Sequence, residues 1–254
     1  MMNFLQTLKQ CALTRRMPVI ADIKRHSPKE GPLLGDRDAL KLAETLVLAG
    51  APALSVVTEE KYFGGSLAML ERISAKVSVP VLRKDFIRSE EQIRESASAG
   101  AAAVLLIVAL LDEKRLGCLY EAALKHGLTA LVETHKLSEI EMANAISPEL
   151  VGINNRDIMS LEKDDGGLGT TEALVRAIRG KEMRGKEMRG KVGRDNPVQG
   201  GPFIVSESSI MSPGDVARAK KAGADAVLVG TALLKASDIA QKYKELSMPS
   251  TEGI

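Results

Sequence analysis

The sequence predicts an α/β protein, a single (β/α)8 (TIM) barrel, on three observations. Short apolar runs alternate with longer amphipathic segments, eight such pairs follow one another, and most of the apolar runs are continuous rather than alternating. Strands buried on both faces read that way, and eight of them separated by helices point to a closed parallel barrel. An open doubly wound sheet is the structural alternative. It more often has fewer strands and a glycine-rich turn after the first, where this chain has Lys24-Arg25-His26-Ser27-Pro28.

The elements follow in order. A short N-terminal helical extension lies within Met1–Pro18, and the first strand is placed at Val19–Ile23. Further strands are predicted at Ala53–Thr58, Pro80–Lys84, Ala103–Val108, Leu128–Glu133, Leu150–Asn154, Phe203–Glu207 and Ala226–Gly230. Helices are predicted at Arg37–Ala49, Leu67–Ala75, Glu90–Ala99, Glu113–His126, Leu137–Ala145, Thr171–Arg179 and Pro213–Ala222, with a last one near Ala232–Leu246. Gly50, Gly100, Gly127 and Gly223 each follow a helical pattern, where C-terminal caps belong. Ser138 and Ser212 open Ser-x-x-acid stretches that resemble helix starts, the second with Pro213 in its first turn. Residues 180–201, beginning GKEMRGKEMRGK, break the rhythm. Their basic residues suggest an anion patch, but interleaved Glu182, Glu187 and Asp195 and the repeated glycines favour a solvated, flexible insert between the sixth helix and the seventh strand.

Composition narrows the chemistry by exclusion. One core can organise all 254 residues without disulfide or metal staples. Lys plus Arg (35) against Asp plus Glu (33) leaves +2, which offers no global field for nucleic acid or an anionic membrane. Aromatics are 3% of residues, too few for a base-stacking platform. The longest apolar run, Ala101–Leu111, is too short to cross a bilayer, and the N-terminus has no apolar signal core. Cys11 and Cys118 read as reduced thiols, so the expected location is cytoplasmic. His126 suits a helix end, whereas His26 and His135 follow strands and could border the mouth. No metal-ligand spacing is present, and no metal is expected.

The informative residues stand where strands end, because barrel enzymes place their chemistry at that face. Side chains two apart share a side, which groups Ile20, Asp22 and Lys24; Leu82, Lys84 and Phe86; Leu131 and Glu133; Gly152, Asn154 and Arg156; and Val205 and Glu207. Pointed inward, these faces gather Asp22, Lys24, Lys84, Glu133, Asn154, Arg156 and Glu207 at one mouth. Any one of them reads equally well as a strand-end salt bridge. Together they are a set of lysines and carboxylates able to shift one another's pKa values into an acid and a base. Small residues after the last two strands, Ser208-Ser209 and Gly230-Thr231, form a phosphate cradle, so the expected partner is a phosphorylated small molecule.

Several of these stretches together resemble the indole-3-glycerol phosphate synthase family. They are IADIKRHSP (20–28), SVVTEEKYFGGS (55–66), VLRKDFI (81–87), LLIV (105–108), LVE (131–133), GINNRD (152–157), SES (206–208) and VGTAL (229–233). The resemblance implies a (β/α)8 barrel that converts 1-(2-carboxyphenylamino)-1-deoxyribulose 5-phosphate to indole-3-glycerol phosphate in tryptophan biosynthesis, losing carbon dioxide and water without a cofactor. It implies that Lys84 is the general acid, Lys24 holds the substrate carboxylate, Glu133 is the base for dehydration, and Asn154 and Glu207 orient the intermediate beside Asp22. It implies phosphate at Ser208, Ser209, Gly230 and Thr231 near Ser27, with Arg156 as a further local cation. The aromatic ring is then expected against Pro28, Phe63, Phe86 and Leu228.

Three residues and one segment depart from the family pattern. Asp22 stands where glutamate is usual, Ser209 where glycine is usual, and Lys29 where serine is usual; the segment before the first strand is short, leaving the expected cover of the ring site reduced. The chain therefore reads as a divergent member, a carboxy-lyase acting as a monomer or weak homodimer. An isomerase of related phosphoribosyl substrates on the same barrel is one alternative, though neither cysteine lies at a strand end to serve it. A non-catalytic phosphate-ligand-binding barrel is another, opposed by the joint presence of Lys24, Lys84, Glu133 and Asn154.

Overall fold

The computed structural model describes residues 3–14, 16–187 and 201–248. Helix α1 (Phe4–Ala12) precedes β1 (Val19–Ile23), which leads into a small hairpin of β2 (His26–Ser27) and β3 (Gly31–Pro32). Then α2 (Ala39–Leu48), β4 (Leu54–Val57), α3 (Leu67–Ser74), β5 (Val81–Lys84), α4 (Glu90–Ser98) and β6 (Ala103–Ile107) alternate. They are followed by α5 (Glu113–Lys125), β7 (Thr129–Thr134), α6 (Leu137–Asn144), β8 (Leu150–Asn154) and α7 (Gly169–Glu187). The chain continues through β9 (Phe203–Glu207), α8 (Pro213–Ala222), β10 (Ala226–Val229), α9 (Thr231–Leu234) and α10 (Ile239–Ser247). The eight long strands close in the order β1-β10-β9-β8-β7-β6-β5-β4, all parallel. The fold is the (β/α)8 barrel that the sequence predicts.

The strand parity read from sequence sorts the core correctly. Ile20, Leu82, Leu131 and Val205 share the cluster inside the barrel, while Val19, Ala21, Leu54, Val81, Val104 and Val132 pack outward against the helices. Buried Tyr243 docks α10 onto β1 by donating its hydroxyl to the Val19 carbonyl at 3.1 Å. The caps behave as expected at Ser212, which makes a capping box with Asp215 ahead of Pro213, and at Gly223, left-handed at φ 101°. Gly50, Gly100 and Gly127 take positive φ just past their helices.

Four local readings change. Helix α6 starts at Leu137 with Lys136 at its N-cap, so Ser138 lies inside it. Helix α7 continues to Glu187, past the position where the sequence reading begins its loop; 188–200 of that insert lie outside the described residues. The last helix is two, because the Asp238 carboxylate accepts the Gln241 N–H and starts α10 afresh.

The fourth change concerns the N-terminal extension. Phe4, Leu5 and Leu8 of α1 join the interior cluster with Ala53, Ala103, Leu150, Phe203 and Ala226, residues at the beginnings of strands. Asn3 Oδ1 accepts both the Leu5 N–H (2.9 Å) and the hydroxyl of Thr129 (3.2 Å), the first residue of β7. The extension plugs the N-terminal end of the barrel. It does not cover the mouth.

Candidate active site

The strand ends converge as their parity requires. Lys84 Nζ lies 3.3 Å from Glu133 Oε2 and 3.5 Å from Glu207 Oε2, bringing the ends of β5, β7 and β9 to one point. Glu133 and Glu207 are fully buried, and Asp22, Lys24, Asn154 and Arg156 are buried too. The register pairs Glu133 with Gly152 and Asn154 with Glu207. Gly152 is obligatory here: a Cβ on it would stand 2.2 Å from Glu207 Oε1, so the missing side chain is the space the carboxylate occupies.

Lys84 and Phe86 are held from behind. Arg83, just before Lys84 and buried on the outer face, donates to Thr58 Oγ1 (3.1 Å), Asp85 Oδ2 (3.0 Å) and Ser96 Oγ (3.1 Å). Asp85 also accepts the Phe86 N–H at 2.8 Å, which sets the turn carrying Phe86 over the mouth. Asp22 accepts the Ser55 hydroxyl at 2.7 Å, and its other oxygen packs against Gly230. Asn155 stitches the opposite wall. Its amide donates to Ser206 Oγ and to the Glu207 and Ser208 carbonyls, and its oxygen accepts from the Thr171 N–H and hydroxyl.

Two adjoining hollows lie above the strand ends and share part of their lining. The polar lobe is lined by Arg156, Ser208, Ser209, Leu228, Gly230 and Thr231. The apolar lobe is lined by Phe63, Phe86, Leu105, Ile107 and Ile158, with the two phenylalanine rings edge-to-face at 6.4 Å. Asp22, Lys24, Lys84 and Glu162 border both. Leu228 thus stands on the polar side, where the resemblance places it against the ring. Ser27 is buried in the hairpin with its hydroxyl accepting the Glu30 N–H, and Pro28 follows at the same turn.

Sequence reasoning missed Glu162. It sits in the loop after β8 at φ 56°, buried, accepting from Asn154 Nδ2 at 3.2 Å. That loop folds over the mouth: Lys29, from the hairpin, reaches the Asp164 carbonyl (3.0 Å) and Asp165 carboxylate (2.7 Å). Ser208 and Ser209 are both left-handed (φ 63° and 57°), the strained conformation expected where Ser209 replaces a glycine.

Charges at the waist pull in opposite directions. Burial alone would raise Glu133, but Lys84 and His135 hold it down to about 2. Burial, reinforced by the neighbouring carboxylates against the pull of Lys84, pushes Glu207 up to about 8. Lys84 resists its own burial because Glu133 and Glu207 face it, and it stays protonated well above the ordinary lysine range. Asp22 is raised by burial, against Lys24 and Lys84. One carboxylate is thereby ionised and another protonated at neutral pH beside a single ammonium, which is a provision for moving protons. Glu207's oxygens and Arg156 Nε have no hydrogen-bond partner among the described residues, and Arg156 lines the polar lobe.

Fold and site define a barrel enzyme of acid–base chemistry, with a polar lobe and an aromatic lobe meeting at Lys24 and Lys84. A model of the indole-3-glycerol phosphate synthase family matches residues 1–185. The chain is 41% identical over 231 residues to the indole-3-glycerol phosphate synthase of Pyrococcus furiosus, covering 91% of this chain and 92% of that one. It is 44% identical over 220 residues to that of a Nocardioides species (87% and 76% covered) and 38% over 233 residues to that of Streptococcus mutans (92% and 82%). Alignments of that length run beyond residue 185 and take in the later strand ends. The chain belongs to the indole-3-glycerol phosphate synthase family.

Proposed function

We propose that this barrel closes the indole ring of 1-(2-carboxyphenylamino)-1-deoxyribulose 5-phosphate at Lys84, with phosphate in the polar lobe and the carboxyphenyl ring in the apolar one. Family membership makes the chain an indole-3-glycerol phosphate synthase, a carboxy-lyase of tryptophan biosynthesis. The observation that carries the residue assignment is that Lys84 borders both lobes while its ammonium faces Glu133 and Glu207. A substrate spanning them folds its chain over the lysine and brings carbonyl and ring carbon together, trading translational freedom for a reactive pose.

Lys84 protonates the ribulose carbonyl oxygen as the ring carbon bearing the carboxylate attacks the carbonyl carbon. Lys24 neutralises that carboxylate until the carbon–carbon bond to it breaks, carbon dioxide leaves and the electron pair returns to the ring system. The new hydroxyl then departs as water: protonated Glu207 supplies its proton, and ionised Glu133 removes one from the ring to complete the indole. Asn154, fixed on Glu162, and Asp22, fixed on Ser55, orient the intermediate. Arg156, the Ser208–Ser209 turn and the Gly230–Thr231 backbone receive the phosphate.

One chain supplies every residue named, so a monomer or weak homodimer suffices. Among the described residues no helix is long and apolar enough to cross a membrane, and Cys11 and Cys118 are free thiols, which suits a cytoplasmic enzyme.

The test is to mix purified protein with the carboxyphenylamino-deoxyribulose phosphate and follow indole fluorescence. Lys84→Ala is expected to slow turnover by at least about 100-fold while a phosphate-bearing product analogue still binds. Absence of product at high wild-type concentration would remove the reaction; near-normal turnover by Lys84→Ala would remove Lys84 from the role of acid.

A further inference from the structure

His135 stands immediately beyond β7, two residues from Glu133, and no step above employs it. Its Nε2 lies 3.4 Å from Glu133 Oε1. Its Nδ1 lies 3.1 Å from Glu139 Oε2, and the same oxygen accepts the His135 backbone N–H at 2.7 Å. Glu139 belongs to the first turn of α6 and is buried. The imidazole is therefore clamped from behind by a carboxylate that also holds its backbone, and its free edge faces the Glu133 carboxylate. Glu133 Oε1 and His135 Nε2 are both buried, and neither has a hydrogen-bond partner among the described residues.

We propose that His135, backed by Glu139, is a positioning residue for Glu133: it holds one carboxylate oxygen so that the other faces Lys84 and the substrate. The proposal rests on the assignment of Glu133 as the base. Its physical basis is the tautomer. With Nδ1–H committed to Glu139, a neutral ring would aim an Nε2 lone pair at a carboxylate oxygen, which is repulsive. A proton on both nitrogens satisfies both carboxylates. Burial lowers the imidazole's proton affinity, but the flanking Glu133 and Glu139 reverse this and raise His135 to about 10.

The consequence concerns where the Lys84 proton goes. Glu133 at 3.3 Å is a competing acceptor for it, and transfer there would consume acid and base together. A second, fixed cation on Glu133 disfavours that internal transfer and leaves the ammonium proton for the carbonyl. The other charged groups around Glu133 act on the same balance: Lys84 from β5 favours its ionised form, while Glu162 from the loop after β8 and Asp22 from β1 add negative charge around Lys84, as Glu207 from β9 does once it ionises. Lys136, exposed beside Glu139, completes the set on the α6 side.

Two readouts test this. The chain has three histidines, so ring resonances of histidine-labelled protein are few enough to follow one by one. His135 should remain doubly protonated beyond pH 8 in the wild type and titrate lower in Glu139→Gln; a His135 ring titrating in the ordinary range of about 6.5 in the wild type overturns the proposal. In turnover, His135→Asn should lower kcat roughly tenfold, change KM less than about threefold, and move the acid limb of the kcat–pH profile upward by about one unit, as expected for a base that has lost a cation. A His135→Asn profile superimposable on wild type overturns it as well. Should that variant fail to fold, Glu139→Gln carries the kinetic arm: its kcat should fall as pH rises through the lowered His135 titration, and an unchanged profile counts against the proposal. The ring readout does not need turnover, so a wild type that made no product would defeat the reaction reading and leave this test standing.

Discussion

Asp22 shows what one methylene does at a strand end. Its side chain is occupied on both sides, with Ser55 Oγ at 2.7 Å on one oxygen and the Gly230 backbone against the other. The carboxylate stays on the barrel wall between Lys24 and Lys84. A glutamate would carry the charge about 1.5 Å further toward the waist. Because an error of about 1 Å in placement costs on the order of 100-fold, Asp22→Glu is expected to raise kcat by about tenfold with little change in KM. Steady-state indole fluorescence checks it, and a fall in kcat would mean that the Ser55-held carboxylate is the working geometry. Residues such as Asp22, Lys84 and Glu207 were legible in sequence because a strand's two-residue period is local and says which side chains share a face. Glu162 was not. It reaches the same waist from an aperiodic loop through left-handed backbone at Leu161 and Glu162, and nothing in the residue order announces such a turn.

Elements are placed by their edges. Asn155 joins the end of β8 to the end of β9 and to the start of α7 with five hydrogen bonds, all but one of them between groups that are both buried. It points away from the Asn154–Arg156 face, so it contributes position rather than chemistry. It also holds the carbonyl of Ser208, the first residue of the left-handed pair lining the polar lobe. Asn155→Ala leaves several buried donors and acceptors unmet, and we expect a loss of about 2–3 kcal/mol in urea unfolding together with a raised KM. An unchanged KM in a destabilised variant would separate the stitch from the anion lobe. The N-terminal extension teaches the same lesson in reverse. A short helical extension was expected there, but only the fold could say which end of the barrel its apolar face would find. Phe4, Leu5 and Leu8 go to the floor, and the covering of the mouth falls to the hairpin and the loop after β8, clasped by Lys29 and Asp165. Contacts that join segments more than a hundred residues apart leave no local signature.

At the scale of the whole molecule, a formal charge of +2 conceals a barrel interior that concentrates charge at one end. The apolar lower layers were readable because buried parallel strands are continuous in Val, Ile, Leu and Ala; the polarity of the top layer was readable as an interruption of that rule. What the residue order leaves out is the sign of each burial effect, and that sign governs stability against pH. Glu207 is raised from 4.5 to about 8 and His135 from 6.5 to about 10, so the folded chain holds protons at both that the unfolded chain releases. Their contributions are whole below about pH 4.5 and 6.5 respectively, and are lost as pH climbs toward 8 and 10. Glu133 works in the other direction. Its value is depressed to about 2, so its contribution is whole above 4.5 and fades as pH falls from there. Stability should therefore be greatest in mildly acidic solution and decline steadily through neutrality, because the site that holds Glu207 protonated beside Lys84 is strained by the deprotonation that neutral and alkaline pH demand. Urea midpoints measured from pH 4 to 10 check this. Glu207→Gln, which keeps the shape that fills the space above Gly152 and cannot ionise, should flatten the decline between pH 4.5 and 6.5 and lessen it from there to 8, leaving the decline between 6.5 and 10 that belongs to His135. A wild-type midpoint that stays level to pH 9 would contradict the assignment of a protonated Glu207 and, with it, the division of the buried carboxylates into one acid and one base.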